Sequence, residues 1–121
     1  MGKRILICDD DEDILSICTY ILEENGWEVH TRTHCKNIVE AVKEIGPDII
    51  MMDNWIPDVG GIKATQAIKS SAELRHIPII YFSANNDVKA LAQVAGADKY
   101  LAKPFDIDEL EKMVSSILKD K

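Results

Sequence analysis

Five short apolar runs recur along this chain, and a segment of different rhythm follows each. The runs are ILIC (5–8), WEVH (27–30), DIIMM (48–52), IPIIYF (77–82) and DKYLA (98–102). Between them, apolar residues return every three or four positions, the period of a helix with one buried face. In 13–24 that face is Ile14, Ile17, Cys18, Ile21 and Leu22, stopped by Asn25-Gly26. In 37–45 it is Ile38, Val42 and Ile45, halted by Gly46-Pro47. Segments 61–70, 87–95 and 106–118 complete the set, and Asp106 with Glu109 three residues on has the form of a capping box. Four of the five runs are nearly continuous in apolar residues, which suits strands covered on both faces. Strict βα alternation admits few folds. It predicts a single α/β domain with a parallel sheet, right-handed crossovers and helices on both sides.

Bulk properties narrow the class. The chain has 121 residues, 46% hydrophobic and 29% charged, enough for one domain with its own core. No linker, internal repeat or low-complexity tract divides it, so residues 1–121 are expected to be one unit. A formal net charge of -7 repels nucleic acid and anionic membrane, and favours metal cations and basic partner patches. The N-terminus lacks a signal peptide's apolar core, and no run is long enough to cross a bilayer. Cys8, Cys18 and Cys35 are odd in number and widely spaced, which predicts reduced thiols in a cytoplasmic protein rather than a disulfide framework or a zinc site.

The strand ends carry the chemistry. The first run ends at Asp9-Asp10, the third at Asp53, the fourth at Ser83 and the fifth at Lys103-Pro104; only WEVHTRT ends blandly. In open α/β sheets, ligands bind at the carboxyl ends of strands where the strand order reverses. With the order 2-1-3-4-5, strands one and three are neighbours at the reversal and strand two is an edge. Asp9, Asp10 and Asp53 would then converge, with Ser83 and Lys103 arriving from the next strands. Three carboxylates at one spot raise each other's pKa. A hard divalent cation relieves that, and Mg²⁺ takes carboxylate, water and phosphate oxygens. A lysine and a hydroxyl beside it suit the remaining oxygens of a phosphoryl group.

With these residues in place, the chain resembles a response-regulator receiver domain over essentially its whole length. The acidic pair Asp9-Asp10, the stretch MMDNWIPDVGG, the strand end YFSA and the segment GADKYLAKPF carry the resemblance, in that order along the chain. It implies a (βα)5 flavodoxin-like fold and a phosphorylation-dependent switch of a two-component or phosphorelay system. Asp53 would be the phosphoacceptor. Asp10, Asp53, the backbone carbonyl of Trp55 and, through water, Asp9 would hold Mg²⁺, with Mn²⁺ a possible substitute. Lys103 would contact one phosphoryl oxygen and Ser83 another. Tyr100 matches an aromatic position that turns inward in the active state, and Lys103-Pro104 the family's cis peptide. Pro57 and Gly60-Gly61 would shape the loop after Asp53.

The resemblance also implies partners: a histidine kinase or histidine phosphotransfer protein as donor, and a downstream protein read by the face of the fourth helix, fifth strand and fifth helix. The switch would catalyse its own phosphorylation and dephosphorylation without being an enzyme in the ordinary sense, as a monomer or a weak phosphorylation-linked dimer. No output domain is expected within 1–121. Trp55 departs from the common pattern; with Asn85 it is expected to set the lifetime of the aspartyl phosphate, unless it only packs on a neighbouring loop or partner. Ile14 and Ile17 widen the apolar band of the first helix and, with Pro104, form an expected docking surface for the donor. Asp11, Glu12 and Asp13 are expected to favour that helix's N-terminus, Asp58 to face solvent, and His30, His34 and His76 to lie at the surface. Two rival functions remain. One is a receiver-like binding module that works without phosphorylation. The other is an aspartyl-nucleophile phosphatase of haloacid-dehalogenase type, built on Asp9 and Asp11; the chain lacks the Thr or Ser expected just after that motif.

Overall fold

The computed structural model describes residues 3–57, 60–84 and 86–119. The elements run β1 (Lys3–Cys8), α1 (Glu12–Glu24), β2 (Trp27–Arg32), α2 (Ile38–Ile45), β3 (Ile49–Asp53), α3 (Gly60–Ser70), β4 (Ile79–Ser83), α4 (Val88–Ala95), β5 (Lys99–Ala102) and α5 (Ile107–Lys119). One parallel sheet holds all five strands in the order β2-β1-β3-β4-β5. The order reverses between β1 and β3, as the bland end of β2 suggested.

Pleat alternation divides the core into two layers. Leu6, Cys8, Ile50, Met52, Ile79 and Tyr81 pack toward α2, α3 and α4. Ile5, Ile7, Ile49, Met51, Ile80 and Phe82 pack toward α1 and α5. Cover on both faces is complete only for β3 and β4, and for β1 from Ile5 to Cys8. In β5 Leu101 alone is buried. That run falls short of the expected continuity because an edge strand has one neighbour and its outer helices overlap it only partly.

Two polar devices set the ends of helices. Asp11 caps α1, its Oδ1 accepting from the N–H of Asp13 at 2.9 Å and of Ile14 at 3.4 Å. Asp106 and Glu109 form the anticipated capping box: the Asp106 N–H donates to Glu109 Oε1 at 3.1 Å, and the Glu109 N–H to Asp106 Oδ1 at 2.8 Å. At the opposite end of the sheet from the acidic residues, Lys69 Nζ donates to the carbonyls of Arg75 and Ile77 and to Asp98 Oδ2. Asp98 Oδ2 in turn accepts the Ile79 N–H at 2.8 Å. This ties the C-terminus of α3 to the starts of β4 and β5.

Candidate metal and phosphoryl site

The carboxyl edge of the sheet collects the polar residues. Asp9 follows β1 directly, Asp53 and Ser83 close β3 and β4, and Lys103 follows β5. Each strand delivers its residue there because the strands are parallel and adjacent in the order 1-3-4-5. Asp9, Asp53 and Ser83 are buried, at 1%, 4% and 1% exposure. Burying two carboxylates is costly unless charge compensates them. Lys103 does so: its Nζ lies 2.8 Å from Asp9 Oδ2 and 2.8 Å from Asp53 Oδ1. The ammonium also sits 4.7 Å from the centroid of the Phe82 ring, a cation–π contact. The Lys103-Pro104 peptide is cis, and the Lys103 N–H donates to the Ser83 carbonyl at 2.9 Å.

The second oxygen of each buried carboxylate is also engaged. Asp9 Oδ1 accepts the Asp11 N–H at 2.9 Å, and Asp53 Oδ2 accepts the Trp55 N–H at 2.9 Å. Asp10 is exposed at the mouth, and one oxygen each from Asp9, Asp10 and Asp53 lie within 4.8 Å of one another. Such a donor set, all carboxylate oxygen, fits a hard cation, with water completing the shell. Burial pushes Asp9 above the ordinary carboxylate range; its bonds to Lys103 and to the Asp11 N–H offset part of this, and the Asp53 charge adds to it. Burial alone would lower Lys103, but its hydrogen bonds to Asp53 and Asp9 outweigh that and hold its pKa above the usual lysine value. The ammonium therefore stays charged.

The remaining anticipated residues fall around this centre. Trp55 adjoins it through its backbone, while its indole is 74% exposed and lines a cavity of about 560 Å³ with Ile56, Ile62 and Leu91. Tyr100 lies outside the cleft, 43% exposed, beside Lys89 and Gln93 of α4. Ile14, Ile17 and Pro104 meet in one apolar groove of about 240 Å³ next to Lys103, completed by Cys18, Ala84 and Phe105; Ile17 is 55% exposed. Asn85 and Asp58 lie outside the described residues. The Asp11 carboxylate is committed to the α1 cap. His30 pairs with Glu28, and His34 and His76 are exposed. All three cysteines are buried and none is in a disulfide; burial pushes Cys18 up to about 11 and Cys8 higher still.

Two features at the site were not anticipated from the chain. Tyr81, fully buried in β4, donates its phenolic hydrogen to Asn54 Oδ1 beside Asp53. The signal was a phenol inside the otherwise apolar run IPIIYF, since a buried tyrosine hydroxyl needs a partner. The second goes beyond the loop-shaping expected of Gly60-Gly61: a Cβ at Gly61 would stand 2.2 Å from the Asp53 carbonyl oxygen, so α3 starts against the backbone of β3.

Comparison with known proteins agrees with this geometry. The family model of the response regulator receiver domain matches residues 5–115. The CAI-1 autoinducer sensor kinase/phosphatase CqsS of Vibrio cholerae is 33% identical over 94% of this chain, which spans only 17% of that protein. The polar-differentiation response regulator DivK of Brucella ovis is 31% identical, with 99% of each chain covered. Among solved structures, the receiver domain of the sensor histidine kinase PA1611 from Pseudomonas aeruginosa, which holds a magnesium ion in its active-site cleft, superimposes with a TM-score of 0.89 at 27% identity, covering 98% of this chain and 99% of that one. A carboxylate cleft at the β1/β3 reversal, a lysine following β5 and a family match over nearly the whole chain lead to one conclusion: this chain belongs to the response regulator receiver domain family, the phosphorylation-dependent switches of two-component signalling.

Proposed function

We propose that Asp53 is the phosphoacceptor and that the donor is a phosphohistidine on a histidine kinase or histidine phosphotransfer protein. The observation that carries this is the single ammonium of Lys103, held 2.8 Å from both Asp53 and Asp9 with Asp10 at the mouth. In the transfer, an Asp53 carboxylate oxygen attacks phosphorus. The P–O bond forms as the P–N bond breaks, and the imidazole leaves with its electron pair and takes up a proton. Lys103 is placed to turn from Asp9 toward a phosphoryl oxygen, and the Ser83 hydroxyl toward another. Asp10, Asp53, the Trp55 carbonyl and, through water, Asp9 would hold Mg²⁺, or Mn²⁺ in its place, which would supply charge neutralisation for the transferring group. Hydrolysis of the aspartyl phosphate would use the same residues, with Trp55 at the entrance setting its rate together with Asn85.

The register favours a readout through α4 and β5. Tyr81 pairs with Tyr100, and Ser83 lies two residues beyond Tyr81 on the same face of β4, so Ser83 and Tyr100 share the side covered by α4. Movement of Ser83 toward a phosphoryl group would bias Tyr100 inward and reshape the α4–β5–α5 surface for a downstream protein. The groove at Ile14, Ile17 and Pro104 suits the helical donor, because it is apolar and adjoins Lys103. The receiver unit would comprise residues 1–121 and act in the cytoplasm, as a monomer or a phosphorylation-linked dimer. Among the described residues, no helix is long and apolar enough to cross a membrane.

Intact mass after incubation with acetyl phosphate or phosphoramidate, with and without Mg²⁺, tests the acceptor. The wild type should gain one phosphoryl group only with Mg²⁺, and Asp53→Ala none. A gain that persists in Asp53→Ala would move the acceptor elsewhere.

A further inference from the structure

We infer that the Tyr81 hydroxyl, acting from inside the sheet, positions the loop after Asp53 through Asn54 and so fixes the orientation of the acceptor carboxylate. The inference rests on Asp53 being the acceptor. Tyr81 is wholly buried in the layer under α2, α3 and α4, among hydrocarbon and thiol side chains. A hydroxyl placed there costs stability unless it is bonded, and its bond goes to Asn54 Oδ1. The phenol stays protonated, because burial, aided by the charge of Asp53, pushes it up to about 12.

Asn54 is further tied on its main chain. Its N–H donates to the Phe82 carbonyl at 3.3 Å, and its carbonyl accepts the Gly61 N–H at 3.2 Å. Its side chain completes a three-point attachment to β4 and α3. The next peptide carries the Trp55 N–H, which reaches back to Asp53 Oδ2 at 2.9 Å. The Trp55 indole is exposed, so that peptide is held from its two neighbours: by the bonds of Asn54 on one side and by the buried side chain of Ile56 on the other. Strand alternation puts Asp53 on the face of Ile49 and Met51, opposite Tyr81. Tyr81 therefore reaches the acceptor only through the backbone and is a positioning residue. With Oδ2 on the Trp55 N–H and Oδ1 on Lys103, the plane of the carboxylate is set.

Tyr81→Phe, Asn54→Ala and the double variant test the tether with two readouts. The first is phosphoryl uptake from phosphoramidate against Mg²⁺ concentration, followed by intact mass. The second is amide hydrogen exchange at Trp55, followed by NMR. Each single variant should exchange the Trp55 amide faster and take up phosphoryl about 5-fold more slowly at limiting Mg²⁺, the effect of one ordinary hydrogen bond. The double variant should be no worse than the worse single, since both delete one bond. Wild-type uptake and exchange in Tyr81→Phe, or additive losses in the double, would overturn the tether. Should Tyr81→Phe fail to fold, Asn54→Ala at the half-exposed partner decides. If the wild type takes up no phosphoryl group, Asp53 as acceptor fails separately, and Trp55 exchange judges the tether: faster in both variants upholds it, unchanged overturns it.

Discussion

Lys103 is the only cation among the described residues in contact with either buried carboxylate, so its removal should expose the repulsion they otherwise hide. Lys103→Met in the absence of divalent metal should cost roughly 2 kcal/mol at pH 7, less than the loss of a sealed buried partner because the site opens to solvent at Asp10. The pH dependence has a definite sign. Asp9 has a folded pKa above its unfolded value near 3.9, so its ionisation works against the fold as pH rises through the folded value. Lys103 is also raised, so its contribution is complete below its unfolded value near 10.4 and is lost only as pH climbs through the folded one. The deficit of Lys103→Met should therefore shrink as pH falls through the carboxylate range, where protonated carboxyls need no counter-charge. Denaturation at pH 7 and pH 4 checks this, and an equal deficit at both would refute it. Asp9, Asp10, Asp53, Ser83 and Lys103 were legible in the sequence because each stands at or just past the end of an apolar run. The bond between Tyr81 and Asn54 was not, because Asn54 meets Tyr81 only once β3 and β4 are paired in register.

Among the elements, α3 makes the closest demand on the site. Its second residue is Gly61, where a Cβ would stand 2.2 Å from the Asp53 carbonyl oxygen and 3.0 Å from the Asn54 Cα. Both neighbours are backbone and cannot swing aside, so Gly61→Ala must push the first turn of α3 away from β3. About 2 kcal/mol of stability should go with that overpacking. Phosphoryl uptake should slow as well, because Asn54 loses its anchor at the Gly61 N–H. Gly26 supplies the contrast: its φ is +88° with open space around it, so Gly26→Ala pays only the left-handed backbone penalty of about 1 kcal/mol. Gly26→Ala should melt earlier with normal uptake, whereas Gly61→Ala should lose both; equal uptake in the two would separate the α3 start from the chemistry. The 3–4 rhythm and the Gly and Pro stops located every helix to within a residue or so. They could not reveal how tightly α3 abuts β3, since a double glycine reads only as a bend until the strand beside it is known.

At the scale of the whole molecule, the strand order brings together carboxylates that the unfolded chain keeps apart. Asp9 and Asp10 are more than 40 residues from Asp53, and they meet only because β1 and β3 are hydrogen-bonded neighbours. That neighbourhood was readable from the bland end of β2, which consigns it to an edge; the poor cover of β5 was not, since it depends on how far α4 and α5 reach. A cation that binds only the folded arrangement must stabilise it, by RT ln(1 + [L]/Kd), about 2.7 kcal/mol at a hundredfold excess over Kd. For a chain of this size that corresponds to a rise in Tm of roughly 10 °C. The net charge of -7 adds a competing effect, because any salt screens self-repulsion and lifts the melting temperature somewhat. Matched ionic strength separates the two: Mg²⁺ should raise the Tm of the wild type well beyond what NaCl does, and the excess should vanish in Asp53→Asn. A gain from Mg²⁺ equal to that from NaCl would mean that the three carboxylates are only a repulsive cluster neutralised in part by Lys103. An excess confined to chains with Asp53 would mean that the fold itself assembles the cation site.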